Sequence, residues 1–310
     1  MGDLYILLKS LVYAFFVTLI ISPFVISFIK KEKVKQVILT YVESHECKAG
    51  TPTMGGIIFL ISISVVSMIC FQGSSKLAKI SLFAFLSYGL VGFFDDFIKF
   101  KFQRNLGLKA YQKIIFQLAI SLFLAFYVYG SGLVGGVLLI PFTKFHIDVG
   151  VWIIPLVVLI YLATTNAVNL TDGLDGLAGS TTMTYMLSFV VLLFVLMNYS
   201  SFTGLNEIKI QELKNIGILS SVTCGAMLSF LIFNCFPAKI FMGDTGSLAL
   251  GSLVASTAVF SNMSLFVPIL GFMFVASAVS VILQVSYYKL TKKRIFLMAP
   301  LHHHFEKRCP

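Results

Sequence analysis

Apolar residues run along this chain in long blocks free of charge, at residues 10–29, 49–75, 80–94, 114–143, 149–171, 176–206, 215–238 and 245–288. Each block can hold a helix of about 20 residues, the length that crosses a bilayer, with the shortest extended by its flanks. The last is long enough for two helices, and Ser261-Asn262 supplies the turn between them. The pattern predicts an all-α polytopic membrane protein with nine transmembrane helices, folded as a single integral membrane domain over residues 1–310. Between the blocks, residues 130–150 carry Gly130, Gly132, Gly135, Gly136 and Pro141 and predict a hairpin, in which His146 is structural. Residues 199–214, with Glu207, Lys209, Glu212 and Lys214, predict a short surface helix. No small-residue cleavage site follows the first apolar block, so no cleavable signal peptide is expected.

Composition sharpens the picture. Of 310 residues, 58% are hydrophobic and 12% charged, against about 25% charged in soluble domains. That excludes an ordinary soluble enzyme. The net charge is +10, and its distribution gives a topology. With the N-terminus outside, most Lys and Arg fall in alternate loops, which the positive-inside rule places in the cytoplasm. Those loops hold Lys30 to Lys48, Lys99 to Lys113, Lys239, and Lys289 to Arg308. Such a face attracts anionic lipid or an anionic substrate. Nucleic acid is a poor reading of this charge, which is spread over several loops, and no nucleic-acid partner is expected. The five cysteines show no Cys-x-x-Cys spacing, which argues for free thiols.

Candidate chemistry sits where apolar blocks end on the lysine-rich side. In residues 164–180 the polar members Asn166, Asn169, Asp172 and Asp175 fall every third residue, interleaved with Gly173, Gly176 and Gly179. On a helix that spacing makes a narrow ladder on one face, and the glycines let a backbone or a phosphate come close. Asp95 and Asp96 end the third block, with Lys99 one turn on and therefore on their side. Acids placed at a membrane boundary are costly and usually functional. Gly243-Asp244-Thr245-Gly246 is a tight turn opening a helix, and a hard cation wants an oxygen such as that of Asp244. Near the N-terminal side, Lys48 precedes Thr51 and Thr53, and Thr53 is expected to cap the following helix; a helix N-terminus beside Lys48 is an anion site. Close to the C-terminus, His302, His303 and His304 are basic groups able to bind phosphate or carry protons.

Taken together, Asn-Leu-Thr-Asp-Gly-Leu-Asp-Gly-Leu-Ala, Phe-Met-Gly-Asp-Thr-Gly-Ser, Asp95-Asp96 and Pro-Leu-His-His-His-Phe-Glu resemble the polyprenyl-phosphate N-acetylhexosamine-1-phosphate transferases. The histidine tract favours the phospho-N-acetylmuramoyl-pentapeptide transferase branch. The resemblance runs from Lys48 to Glu306. It implies transfer of phospho-MurNAc-pentapeptide from UDP-MurNAc-pentapeptide to undecaprenyl phosphate, giving lipid I and UMP, in a cleft on the cytoplasmic side of a bacterial inner membrane. It further implies Mg²⁺ held by Asp244, and Asp95 and Asp96 acting as base or orienting the lipid phosphate. By the same resemblance Asn169, Asp172, Asp175, Gly176 and Asn234 line the nucleotide end, and Phe241 stacks on uracil. Lys48, Lys113 and the histidines absorb the remaining phosphate charge, and Thr53 joins them in binding substrate. A homodimer is a further expectation. Members of the family have ten spans, one more than the nine counted before the chain stops at Pro310. Two other functions fit parts of the pattern. One is transfer of N-acetylglucosamine 1-phosphate; the other is transport, since broken helices and intramembrane acids also mark transport sites.

Overall fold

The computed structural model describes residues 2–31, 51–102, 107–143, 145–198 and 206–308. These form helices α1 (Gly2–Lys31), α2 (Gly56–Cys70), α3 (Lys76–Phe102), α4 (Ala110–Gly130), α5 (Ile153–Thr171), α6 (Leu177–Asn198), α7 (Glu207–Asn234), α8 (Gly243–Phe260), α9 (Val267–Leu270), α10 (Phe272–Thr291) and α11 (Leu301–Arg308). The strands among the described residues are β1 (Val137–Leu139) and β2 (His146–Asp148), an antiparallel pair in the expected hairpin with Leu138 opposite Ile147. Among the described residues, seven helices are long and apolar enough to cross a membrane: α1, α3, α4, α5 with the short turn before it, α6, α7 and α10. The other two expected spans fall on α2, of 15 residues, and α8, of 18. The protein is an all-α polytopic membrane protein.

The faces of α1 show what solvent it meets. Its buried stripe is Leu7, Ser10, Ala14, Thr18, Ser22, Ile26 and Ile29, at helical spacing. Its exposed side carries Phe16, Ile20, Phe24 and Phe28. Through the middle of the helix, from Ser10 to Ser22, larger apolar groups thus point outward and small or hydroxylic ones inward, the reverse of a water-soluble helix, as packing in lipid favours. Thr18 donates to Ser62 on α2 at 2.8 Å.

The centre belongs to α7 and α8. In α8 every residue from Thr245 to Phe260 is buried, and the helix is rich in Gly, Ala, Ser and Thr. A helix wrapped by protein needs no lipid-soluble surface, and small residues let α2, α3 and α5 approach closely. Gly92 on α3 is one such contact: a Cβ there would collide with the Asp244 carbonyl. In α7 the packing partners are α1, α6 and α2. Alternating chain direction brings the C-terminal ends of α3, α5 and α7 to the same end of the bundle as the N-terminal ends of α2, α4, α6 and α8.

The opposite end corrects one expectation. Residues 207–214 are not a surface helix but the first turns of α7, with Lys209 and Glu212 buried. The Lys209 ammonium donates to the carbonyls of Leu133 (2.6 Å) and Phe260 (3.3 Å) and to the Asn262 side chain (2.7 Å). Glu212 accepts from Ser74 Oγ and the amides of Lys76 and Leu77, so it caps α3. Both charges became core groups because the helices on which they act start and stop at their level. The expected turn at Ser261-Asn262 is present, with Asn262 in the left-handed region.

Candidate active site

Three carboxylates converge at the other end. Asp95 and Asp96 come from the last turns of α3, Asp244 from the first turn of α8, and one oxygen of each lies within 4.8 Å of the others. Lys99 Nζ stands among them, 2.6 Å from Asp95 Oδ2, 3.0 Å from Asp244 Oδ2 and 3.8 Å from Asp96 Oδ1. Lys113, from the first turn of α4, reaches Asp244 Oδ2 at 2.6 Å and Asp95 Oδ1 at 3.4 Å. Asn169 near the end of α5 donates to both Asp244 Oδ1 and Ser247 Oγ at 2.8 Å. The adjacent acids have separate partners. Asp95 Oδ1 accepts from the Leu108 amide at 2.9 Å. Asp96 accepts from the amides of Asp244 (3.2 Å) and Thr245 (2.9 Å) and from Thr245 Oγ1 (2.7 Å). Asp96 therefore caps α8 from a different helix and satisfies its otherwise orphaned first amides.

The ladder of residues 164–180 is not one helical face. Helix α5 ends at Thr171, Asp172 is its C-cap, and the chain turns through Gly173 to Gly176 before α6 begins. Closely spaced glycines stop a helix, so only Asn166 and Asn169 remain on it. Asn166 points away from the carboxylates, donating to Gln117 Oε1 on α4. Asp172 is pushed up to about 7, by burial first and then by the charges of Asp244, Asp96 and Asp175. Beyond it, Asp175 Oδ2 accepts from the Ala238 amide. Asn234 at the end of α7 accepts from the Gly176 amide and donates to the Ile240 carbonyl. Phe241 follows in the same loop, half-buried, its amide bonded to the Pro52 carbonyl. Asp175, Gly176, Asn234 and Phe241 thus form one connected wall.

Thr53 does not cap α2. That helix starts after Gly55 without a side-chain cap, because residues 52–56 instead pair by backbone hydrogen bonds with Phe241 and Met242. This pairing sets the Thr53 hydroxyl beside Gly243. Lys48 lies outside the described residues. The histidines are on α11, which Ser280 of α10 anchors by accepting the Leu301 amide at 3.0 Å. A side chain at Gly173 would strike His302 and come within 2.8 Å of His303 Nε2, so this glycine lets the two imidazoles lie against the turn. His303 Nδ1 lies 2.8 Å from Glu306 Oε2, and His304 Nδ1 accepts the Leu297 amide. His302 is buried, with neither ring nitrogen hydrogen-bonded among the described residues. Burial first, then the neighbouring His303, hold it down to about 4 against the pull of Glu306. It borders a cavity of about 410 Å³ with Leu174, Leu177, Met273 and Phe305.

Comparison with known proteins is specific. Residues 77–262, which include all three converging acids, match the family model described as glycosyl transferase family 4. Residues 48–60 match a phospho-N-acetylmuramoyl-pentapeptide-transferase signature. The chain is 45% identical to the phospho-N-acetylmuramoyl-pentapeptide-transferase of Clostridioides difficile strain 630, over 95% of this chain and 87% of the relative. It is 42% identical to that of Clostridium novyi strain NT (97% and 88%) and 44% identical to that of Desulfitobacterium hafniense (94% and 87%). The chain belongs to the phospho-N-acetylmuramoyl-pentapeptide transferase family.

Membership in the phospho-N-acetylmuramoyl-pentapeptide transferase family puts weight on residues the motifs did not single out. Lys99 was legible only as a neighbour of the aspartates at helical spacing; its place between all three carboxylates depends on α8. Thr245 and Ser247 stand inside the Gly-Asp-Thr-Gly-Ser motif, but the partners that give them a purpose, Asp96 and Asn169, lie far away in sequence.

Proposed function

We propose that this chain transfers phospho-MurNAc-pentapeptide from UDP-MurNAc-pentapeptide to undecaprenyl phosphate, yielding lipid I and UMP for peptidoglycan synthesis. The observation that carries the reading is the Asp95–Asp96–Asp244 cluster with its two lysines at a membrane boundary. Exchanging one phosphoanhydride for another asks for positioning and charge neutralisation more than covalent chemistry, and this cluster supplies both. The signature at residues 48–60 favours this substrate over UDP-N-acetylglucosamine.

The donor set fits Mg²⁺. Three carboxylate oxygens within 4.8 Å of one another offer the all-oxygen environment a small hard cation takes. Asp244 would be the principal ligand, with Asp95 alongside. When bound, the ion would neutralise pyrophosphate charge and polarise the phosphorus under attack. The chain's own residues do the rest. Asn169 fixes the Asp244 carboxylate by its Oδ1, leaving Oδ2 for cations. Asp96 holds the start of α8, and so the position of Asp244, through Thr245. To Asp95, which lies beside Lys113, we assign the lipid phosphate. Lys113, Lys48 and the histidine tract neutralise phosphate oxygens. Asp172, Asp175 and Phe241 face the nucleotide end.

The lysines in the last turns of α1, α3 and α10 share one end with the cluster, and we assign that end to the cytoplasmic face of a bacterial inner membrane. UDP-sugars are on that side. The prenyl chain cannot leave the bilayer, at about 0.8 kcal/mol per buried CH₂. The test is UMP release by purified protein with undecaprenyl phosphate and each of the two UDP-sugars, with and without Mg²⁺. Metal-dependent release with UDP-MurNAc-pentapeptide is expected. Preference for UDP-N-acetylglucosamine, or solute movement across vesicles without UMP, would overturn the proposal.

A further inference from the structure

We propose that Lys99 is a resident counter-ion of the carboxylate cluster, displaced when a divalent cation binds and thereby freed to meet the phosphates of the nucleotide sugar. The inference rests on reading that cluster as the metal site. Its basis is geometric. The ammonium of Lys99 contacts the same three carboxylates whose oxygens converge, at 2.6, 3.0 and 3.8 Å. An ammonium and a dication both seek the inner face of those carboxylates, and at such range they repel each other strongly.

Charge counting points the same way. With Lys99 and Lys113 in place, the three acids are left with one net negative charge. A dication added to that set would make it one positive, and departure of one lysine restores neutrality. Exposure selects Lys99. Its side chain is 33% exposed against 19% for Lys113, and it sits one turn from the end of α3. A lysine is a compact charge on a flexible four-carbon stem, so it can pivot into the opening without any movement of the helix. Lys113 keeps its short contact with Asp244. With a dication held by the carboxylates, Lys99 would swing outward and carry its charge to the opening of the site, where it could meet phosphate. The enzyme avoids carrying a bare triad of acids at a membrane boundary between turnovers.

The experiment is a Mn²⁺ titration, followed by electron paramagnetic resonance of the free ion, on the purified full chain in detergent. Lys99→Gln, Lys99→Arg and Asp244→Asn are compared with the unaltered chain. Removing the competing charge should tighten Mn²⁺ binding about tenfold in Lys99→Gln. Lys99→Arg, which keeps the charge, should bind as the unaltered chain does. The KM for the UDP-sugar should rise in Lys99→Gln, opposite in sense to the gain in metal affinity. A loss of packing alone would weaken both. Thermal unfolding establishes that each variant is folded. Mn²⁺ binding unchanged or weakened in a folded Lys99→Gln, with binding lost in Asp244→Asn, overturns the counter-ion role and leaves the metal site standing. Equal binding by Asp244→Asn and the unaltered chain removes the metal site, and the counter-ion role with it.

Discussion

Both ends of the bundle bury charge, but they use it differently. At one end Lys209 and Glu212 are each matched to backbone groups and one side chain: the lysine to two carbonyls and the Asn262 amide oxygen, the glutamate to two backbone amides and the Ser74 hydroxyl. These partners are fixed parts of the fold, and nothing mobile is needed to complete them. At the other end three carboxylates face two lysines whose side chains reach solvent. There the acids outnumber the cations, and the partners can be exchanged. A buried charge is therefore no sign of function by itself; the sign is a buried charge whose partner can leave.

The largest effect should follow from Asp244→Asn. The amide keeps the shape of the side chain but removes the charge that both lysines contact and that the proposed metal would require. We expect kcat/KM to fall roughly a thousandfold, about 4 kcal/mol of transition-state stabilisation. The melting temperature in detergent should change little. Steady-state UMP release and thermal unfolding check the two halves. Activity within tenfold of the unaltered chain would erase the distinction between the two ends.

Lys209→Met should do the reverse. It leaves two carbonyls and the Asn262 oxygen without their donor, far from the carboxylates. Leaving such groups unsatisfied should cost about 2–3 kcal/mol of stability. Activity per folded molecule should be unchanged. A fall in turnover without a fall in melting temperature would mean that the two ends are coupled through α8, whose last carbonyl Lys209 holds.

What the sequence alone made legible follows from the range of the interactions. Apolar blocks are local, so the helices were readable, including the turn at Ser261-Asn262. The relation of Lys99 to Asp95 and Asp96 was readable because it lies within one turn of helix. Asp96 as the cap of α8 was not, since its partner Thr245 is 149 residues away. The ladder is not a single face because Gly173 and Gly176 end α5 before the three-residue spacing can carry Asp172 and Asp175 onto it. Lys209 and Glu212 looked like surface charges because a polar stretch at a block edge reads the same whether the next helix starts before it or after it. The nucleotide-end role of Asp172 and Asp175 rests on resemblance and that of the histidines on imidazole chemistry; only the fold brings His302 and His303 up against Gly173.

The smallest effect tests which end faces the cytoplasm, and it uses a native probe. Cys235 is a free, exposed thiol at the end of α7, on the side of the carboxylates. It belongs to the loop whose Ala238 and Ile240 are bonded to Asp175 and Asn234. Cys224 is buried and Cys70 half-buried, and Cys47 and Cys309 lie outside the described residues, so all four are replaced by serine or alanine. A membrane-impermeant maleimide should label Cys235 in inverted vesicles and leave it unlabelled in right-side-out ones. The thiol stands beside the proposed nucleotide wall without forming it. Saturating UDP-MurNAc-pentapeptide should therefore slow the labelling only a few-fold, by ordering the loop and covering its approach. Labelling from the outside would invert the topology, put the carboxylates on the wrong side for a nucleotide sugar, and leave the lysine-rich end without its substrate.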